Sequence, residues 1–206
     1  MALKTFVKTG SINNLSDARY CAGMGVDMLG FTLDPKSPDF VDEAAFREIV
    51  GWVSGVKIVG EMGKRPAHEA AELLSRYAVD YLQTDDARAL ASLADLNVPL
   101  ILRADFAENS QSSLKEICLT SQPYVDFILL ESDNVVLTEY EMSFLRRLSS
   151  RYPILLGFGF GASNIHFLLE ELPIKGIALR GSQEIKPGLK DFDELAEILE
   201  ALETED

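Results

Sequence analysis

The chain has 206 residues, 47% of them hydrophobic and 25% charged, with a formal net charge of −14. This balance supplies a full core for one domain and argues against a general nucleic-acid binder, whose phosphate backbone calls for Lys and Arg. It does not exclude a small phosphorylated ligand, which responds to nearby groups and backbone amides more than to distant surface charge.

Residues Met1 to Gly10 read as a strand and lack the apolar centre of a signal peptide. The first strand, Thr5–Thr9, is followed by an amphipathic stretch over Leu15–Met24. The alternation then repeats along the chain. Strand Asp27–Leu33 precedes Asp42, a helix-capping residue type, and a helix over Glu43–Val53. Strand Val56–Met62 leads to helix Ala67–Tyr77, strand Val79–Gln83 to helix Ala87–Leu96, and strand Pro99–Arg103 to the faint helical pattern around Leu114–Cys118. Strands Val125–Glu131 and Ile154–Gly157 follow, then a helix opened by Ser163 and Asn164. The last strand is Gly176–Leu179, and Asp191 stands before the final helix, Phe192–Leu202.

The strands are continuous apolar runs, as expected of parallel strands covered by helices. Eight such units with right-handed crossovers predict an α/β fold, a single (β/α)₈ TIM barrel over residues 1–206. No apolar stretch reaches the roughly 18 residues of a membrane helix. Cys21 and Cys118 lie on separate helical segments, which predicts free thiols and a cytoplasmic protein. His68 and His166 stand far apart and outside any ligand motif, so neither a metal nor a cofactor is expected. The expected partner is a phosphorylated small molecule, with no nucleic acid and no membrane, and the expected state is a monomer or homodimer.

Ligands of such barrels bind at the C-terminal ends of the strands. That rule selects Gly10, Asp34–Phe40, Met62–Lys64, Gln83–Asp85, Arg103, Glu131, Gly157–Gly161 and Arg180–Glu184. The strongest local pattern is Gly157-Phe158-Gly159-Phe160-Gly161 ahead of a helix start. Glycines let a backbone approach an anion, and a helix start offers unpaired N–H groups. The same pattern also suits a plain chain-reversing turn. Arg180-Gly181-Ser182, at the end of the eighth strand, offers a guanidinium, close backbone and a hydroxyl, and with Gly159, Phe160 and Gly161 forms the expected phosphate site. Arg180 equally suits an ion pair with a carboxylate. Glu131 ends the sixth strand. It reads as a general acid or base, as a solvated carboxylate, or as the partner of Arg103 or Arg180.

On these residues the sequence resembles the phosphoribosylanthranilate isomerases, ribulose-phosphate-binding barrels of tryptophan biosynthesis that carry out an Amadori rearrangement. The likeness spans nearly the whole chain. Its densest stretch is Val7-Lys8, Ile12, Asn14-Leu15, Asp17-Ala18, Gly25, Asp27, Gly30-Phe31 and Pro35-Lys36-Ser37. Glu184, Pro187-Gly188 and Lys190-Asp191 carry a second match, and the Gly159 region with Asn164 a third.

The resemblance also implies departures. The family's cysteine base lies in a first-strand motif that here reads Lys8-Thr9-Gly10-Ser11, so Gly10 stands at the base position. The family's aspartic general acid is Glu131, one methylene longer. Asp39 replaces an arginine that holds the anthranilate carboxylate, Gln83 stands for a histidine ending strand four, and Phe158 for one glycine of the seventh loop. Arg103, Gln83 and Asp39 complete the expected substrate pocket. These departures imply a diverged paralogue that binds a phosphorylated small molecule without the standard chemistry. The alternatives are a weak or altered-substrate isomerase of sugar phosphates using Glu131, an aldose–ketose type of enzyme, and a non-catalytic interaction or regulatory protein.

Overall fold

In the computed structural model, which describes residues 2–133, 135–180, 183–186, 189–191 and 193–204, eight parallel strands alternate with eight helices. The strands are β1 (Phe6–Gly10), β2 (Met28–Thr32), β3 (Lys57–Glu61), β4 (Tyr81–Thr84), β5 (Leu100–Asp105), β6 (Phe127–Glu131), β7 (Ile154–Leu156) and β8 (Gly176–Arg180). Each pairs with the next, and β8 pairs with β1 from Phe6–Gly176 to Gly10–Arg180, closing the barrel. The expected (β/α)₈ barrel is therefore the fold. An antiparallel hairpin, β9 (Gln183–Lys186) and β10 (Leu189–Asp191), lies between β8 and the last helix and had no counterpart in the apolar pattern.

The helices are α1 (Leu15–Gly23), α2 (Glu43–Val50), α3 (Ala70–Arg76), α4 (Leu90–Ala94), α5 (Gln111–Ser121), α6 (Glu139–Ser149), α7 (Ile165–Glu171) and α8 (Asp193–Ala201). Asp42 caps α2 as expected, its carboxylate accepting from the N–H groups of Ala44 and Ala45. The predicted helices Ala67–Tyr77 and Ala87–Leu96 each open with a 3₁₀ turn, over Ala67–Glu69 and Ala87–Ala89. The faint pattern at Leu114–Cys118 is the middle of an eleven-residue helix capped by Ser110. Its polar first turn hides its length from an apolar count.

Residues pointing into the barrel and out of it alternate along each strand. Phe6, Tyr81 and Phe127 gather near the N-terminal end, with Phe6 and Phe127 stacked at 5.1 Å. Met28, Val59, Ile101, Leu129, Leu155 and Ala178 fill the inner core. The outward residues pack under the helices, where Cys21 and Cys118 are buried as free thiols. Burial pushes both thiols up to about 12, so neither is a ready nucleophile. Among the described residues no helix is long and apolar enough to cross a membrane.

Candidate functional site at the barrel mouth

Two residues beyond each inner-core position the side chains change character. Met28 is followed by Gly30, Val59 by Glu61, Ile101 by Arg103, Leu129 by Glu131 and Ala178 by Arg180. The alternation that builds the core thus delivers a ring of charged groups to the C-terminal end. Gly10, Ser11, Thr32, Asp34, Ser37, Glu61, Gln83, Asp85, Arg103, Glu131 and Arg180 line a cavity of about 220 Å³ there. A second cavity of about 460 Å³ opens beside it, past Arg103 and Asp85 toward Lys64 and Asn109.

Two ion-pair systems organise the mouth. In the first, the Lys8 ammonium, only 1% exposed, donates to Glu61 Oε1 at 2.5 Å. Glu61 Oε2 accepts from the Ser11 N–H at 3.1 Å and from Thr32 Oγ1 at 3.3 Å. In the second, Arg103 donates through Nε to Glu131 Oε2 at 2.5 Å and through Nη1 to Asp85 Oδ2 at 3.0 Å. Arg180 reaches the same Glu131 oxygen at 3.3 Å and Asp133 at 3.3 Å.

These contacts set the charge states. Burial alone would raise the Glu131 carboxyl. The Arg103 hydrogen bond, with the charges of Arg103, Lys8 and Arg180, outweighs it and holds the group below the usual range. Asp85 goes the other way: burial pushes its carboxyl up despite the Arg103 guanidinium, and the Glu131 and Glu61 charges add to the rise. Two neighbouring carboxyls on one arginine are thereby driven apart. Of the readings open for Glu131, the structure realises the ion pair, with both arginines at once. An ionised Glu131 has no proton to give to a ring oxygen.

The other expected residues are distributed unevenly. Gln83 lies in the cavity wall, 4% exposed, and its Oε1 has no hydrogen-bond partner among the described residues. Asp39 sits outside that lining, where it accepts from Asn13 Nδ2 at 3.3 Å. Phe158 does not enter the mouth; it is buried against Phe106 at 4.8 Å. Gly159 has φ +77°, and a Cβ there would lie 2.5 Å from Leu137, so both backbone conformation and packing require glycine. The Gly161 N–H donates to Asn164 Oδ1 at 2.8 Å, and Asn164 Nδ2 donates to the Gly159 carbonyl at 3.2 Å. Asn164 thus braces the loop internally instead of capping α7. Gly181 and Ser182 lie outside the described residues.

Asn164→Ala should cost about 1–2 kcal/mol, because it removes two loop hydrogen bonds and leaves part-buried backbone groups unpaired. Urea unfolding measures this directly, and a loss under about 0.5 kcal/mol would mean the glycine turn holds without it.

Lys8 and Glu61 were not singled out by the residue patterns. Their signal was present in retrospect. Glu61 interrupts the apolar strand run Ile58-Val59-Gly60-Glu61-Met62, and Lys8 sits between Val7 and Thr9 in β1. A charged residue inside a strand buried on both faces calls for a buried partner.

No protein-family model matches the chain. Curated relatives do. It is 25% identical over 211 residues to the N-(5'-phosphoribosyl)anthranilate isomerase of Maridesulfovibrio salexigens, covering 97% of this chain and 99% of the relative. It is 28% identical over 206 residues to the enzyme of the same name from Gloeothece citriformis, covering 95% and 93%. Among solved structures, a phosphoribosyl anthranilate isomerase in complex with reduced 1-(o-carboxyphenylamino)-1-deoxyribulose 5-phosphate superposes with a TM-score of 0.78 at 19% identity, covering 96% of this chain and 98% of that one. The barrel order and these end-to-end matches agree, and the chain is similar along nearly its whole length to the phosphoribosylanthranilate isomerases.

Proposed function

We propose that the barrel mouth binds a small phosphorylated molecule and that the standard rearrangement of phosphoribosylanthranilate does not run there. The observation that carries the second half is the state of the two positions expected to move protons. Gly10 supplies no thiol of its own, and Glu131, the position expected to protonate the ring oxygen, is held as a carboxylate by Arg103 and Arg180. Loss of one acid or base commonly removes about 10²–10⁴ in rate. Asp39 adds a negative charge on the loop where the resemblance expects an arginine for the anthranilate carboxylate.

The binding half is supported by the Arg180 guanidinium at the rim of the mouth, by the glycine loop after β7, and by the related barrel solved with a ribulose 5-phosphate derivative. A Cβ at Gly161 would meet nothing within 4 Å, so there is space beside this residue, while its N–H is given to Asn164. Arg180, half-exposed at the end of β8, can exchange Asp133 for a phosphate oxygen at little cost, since its partner is itself exposed.

Purified protein should show no turnover of phosphoribosylanthranilate above the background of Glu131→Ala prepared in parallel. Ribulose 5-phosphate should raise the melting temperature. At about ten times Kd the ligand contributes about 1.4 kcal/mol, or roughly 3–6 °C for a chain of this size. Turnover that disappears in Glu131→Ala would overturn the loss of chemistry. A melting temperature unmoved by millimolar ribulose 5-phosphate and inorganic phosphate would overturn the binding.

A further inference from the structure

We infer that Glu61 is the proton acceptor of this mouth, acting on the carbon beside the carbonyl of a bound open-chain sugar phosphate. The inference rests on the phosphorylated-ligand reading above and adds to it the group that performs chemistry. The position at which Gly10 lacks a side chain is not unfilled. A Cβ built on Gly10 would lie 2.7 Å from Glu61 Oε1, and one on Gly30 would lie 2.1 Å from the same oxygen. Glu61 therefore extends from β3 across the bare inner face of Gly30 and places its carboxylate where a side chain on β1 would begin. Two glycines and one long acid form a matched set: the glycines supply the space and Glu61 fills it.

The surroundings suit a base acting on a hydroxylated ligand. Glu61 lines the cavity and is held by Lys8, the Ser11 N–H and Thr32. Those three donors leave one of its roughly four lone-pair sites available. Its neighbour across the β3–β4 register is Gln83, which also lines the cavity and whose buried Oε1 has no partner among the described residues.

In the step itself the C–H bond beside the carbonyl breaks and its proton passes to Glu61. The C–H electron pair becomes the new C=C bond, while the carbonyl π pair moves to oxygen, giving an enediolate. The Lys8 ammonium at Glu61 and the guanidiniums of Arg103 and Arg180 in the cavity wall supply positive charge to that oxygen. Return of the proton to the same carbon regenerates the starting sugar. Return to the former carbonyl carbon, with the hydroxyl proton on the neighbouring oxygen passing to the former carbonyl oxygen, gives its aldose–ketose isomer. No oxidant, reductant or second substrate is needed.

The test is deuterium incorporation into ribulose 5-phosphate in D₂O, followed by NMR, with melting-temperature shifts measured on the same samples. Wild type should incorporate deuterium beside the carbonyl, and Glu61→Gln should slow this by at least about 10²-fold while still binding the sugar phosphate. Because Glu61→Gln strips Lys8 of its charge partner, the double variant Lys8→Met/Glu61→Met is measured beside it and should be equally slow. Incorporation unchanged in either variant overturns the inference. A wild type that binds ribulose 5-phosphate yet incorporates no deuterium also overturns it, leaving the binding reading intact. Absence of both binding and incorporation overturns the two together.

Discussion

Glu61→Ala should lower the unfolding free energy by about 3–5 kcal/mol, because it strands the Lys8 ammonium at 1% exposure without its carboxylate. Coulomb attraction in the barrel offsets the desolvation of both ions only while both are present. Removing them together is a different perturbation. Lys8→Met/Glu61→Met replaces two long unbranched side chains by two others and leaves no charge to desolvate, so its stability should fall within about 1 kcal/mol of wild type or exceed it. Urea unfolding of the single, its Lys8→Met counterpart and the double gives the coupling energy. A Glu61→Ala cost below about 1 kcal/mol would show that Lys8 finds another partner. Glu131, whose carboxylate already feels the Lys8 charge, is the group best placed to serve.

A pair that stabilises so little over an apolar replacement is a poor device for holding a barrel together. Its place in the mouth, above a core already filled by Met28, Val59, Ile101, Leu129, Leu155 and Ala178, suits a functional role better. The same holds for Asp85, Arg103 and Glu131. Three buried or half-buried ions meet where the strands end, although the chain has ample apolar residues to fill that layer.

The barrel was legible in the sequence because its strands are covered on both sides. Val125–Glu131 and Val56–Met62 stand out as apolar blocks, and their C-terminal ends fall within two residues of the observed ones. What counts for function is the end that carries the site, and there Glu131, Arg103 and Arg180 were each placed on the correct strand. The pairing among them was less legible. Arg103 and Glu131 are 28 residues apart, and which of several carboxylates an arginine selects depends on the barrel's stagger. Glu61 was missed for a related reason: its partner Lys8 is 53 residues away on a strand that is not its hydrogen-bonded neighbour. Only the glycine at position 30 of the intervening strand lets the two meet. The glycine loop after β7 shows the opposite limit. Its composition suited both an anion cradle and a turn, and the packing of Gly159 on Leu137 with the Asn164 brace accounts for two of its features without a ligand.

Arg103→Met should destabilise the protein by about 3 kcal/mol at pH 7, and the deficit should shrink on acidification. The guanidinium is shared by Glu131 and Asp85, with about a quarter of its side chain exposed, so the cost falls at the lower end for a broken buried pair. In the wild type the two carboxyls have opposite linkage. Glu131, depressed in the folded state, contributes stability that is present above its unfolded value near 4.3 and is lost as pH falls through its lower folded value. Asp85, raised in the folded state, contributes stability that is present below about 3.9 and is lost as pH rises through its higher folded value. Without Arg103, burial acts on Asp85 unopposed, and Glu131 keeps only Arg180 and the distant Lys8. Both folded values then move upward. The variant takes up protons on folding across the mildly acidic range, so its stability relative to wild type rises from pH 7 to pH 5. Urea unfolding of both proteins at these two pH values decides the matter. A deficit independent of pH would mean that Arg103 acts through its packing and not through the carboxylates it bridges. A shrinking deficit would establish the Asp85–Arg103–Glu131 system as the element that keeps Glu131 from carrying a proton. It would then also be the reason that a carboxyl at the end of β6 does not by itself restore an acid to this barrel.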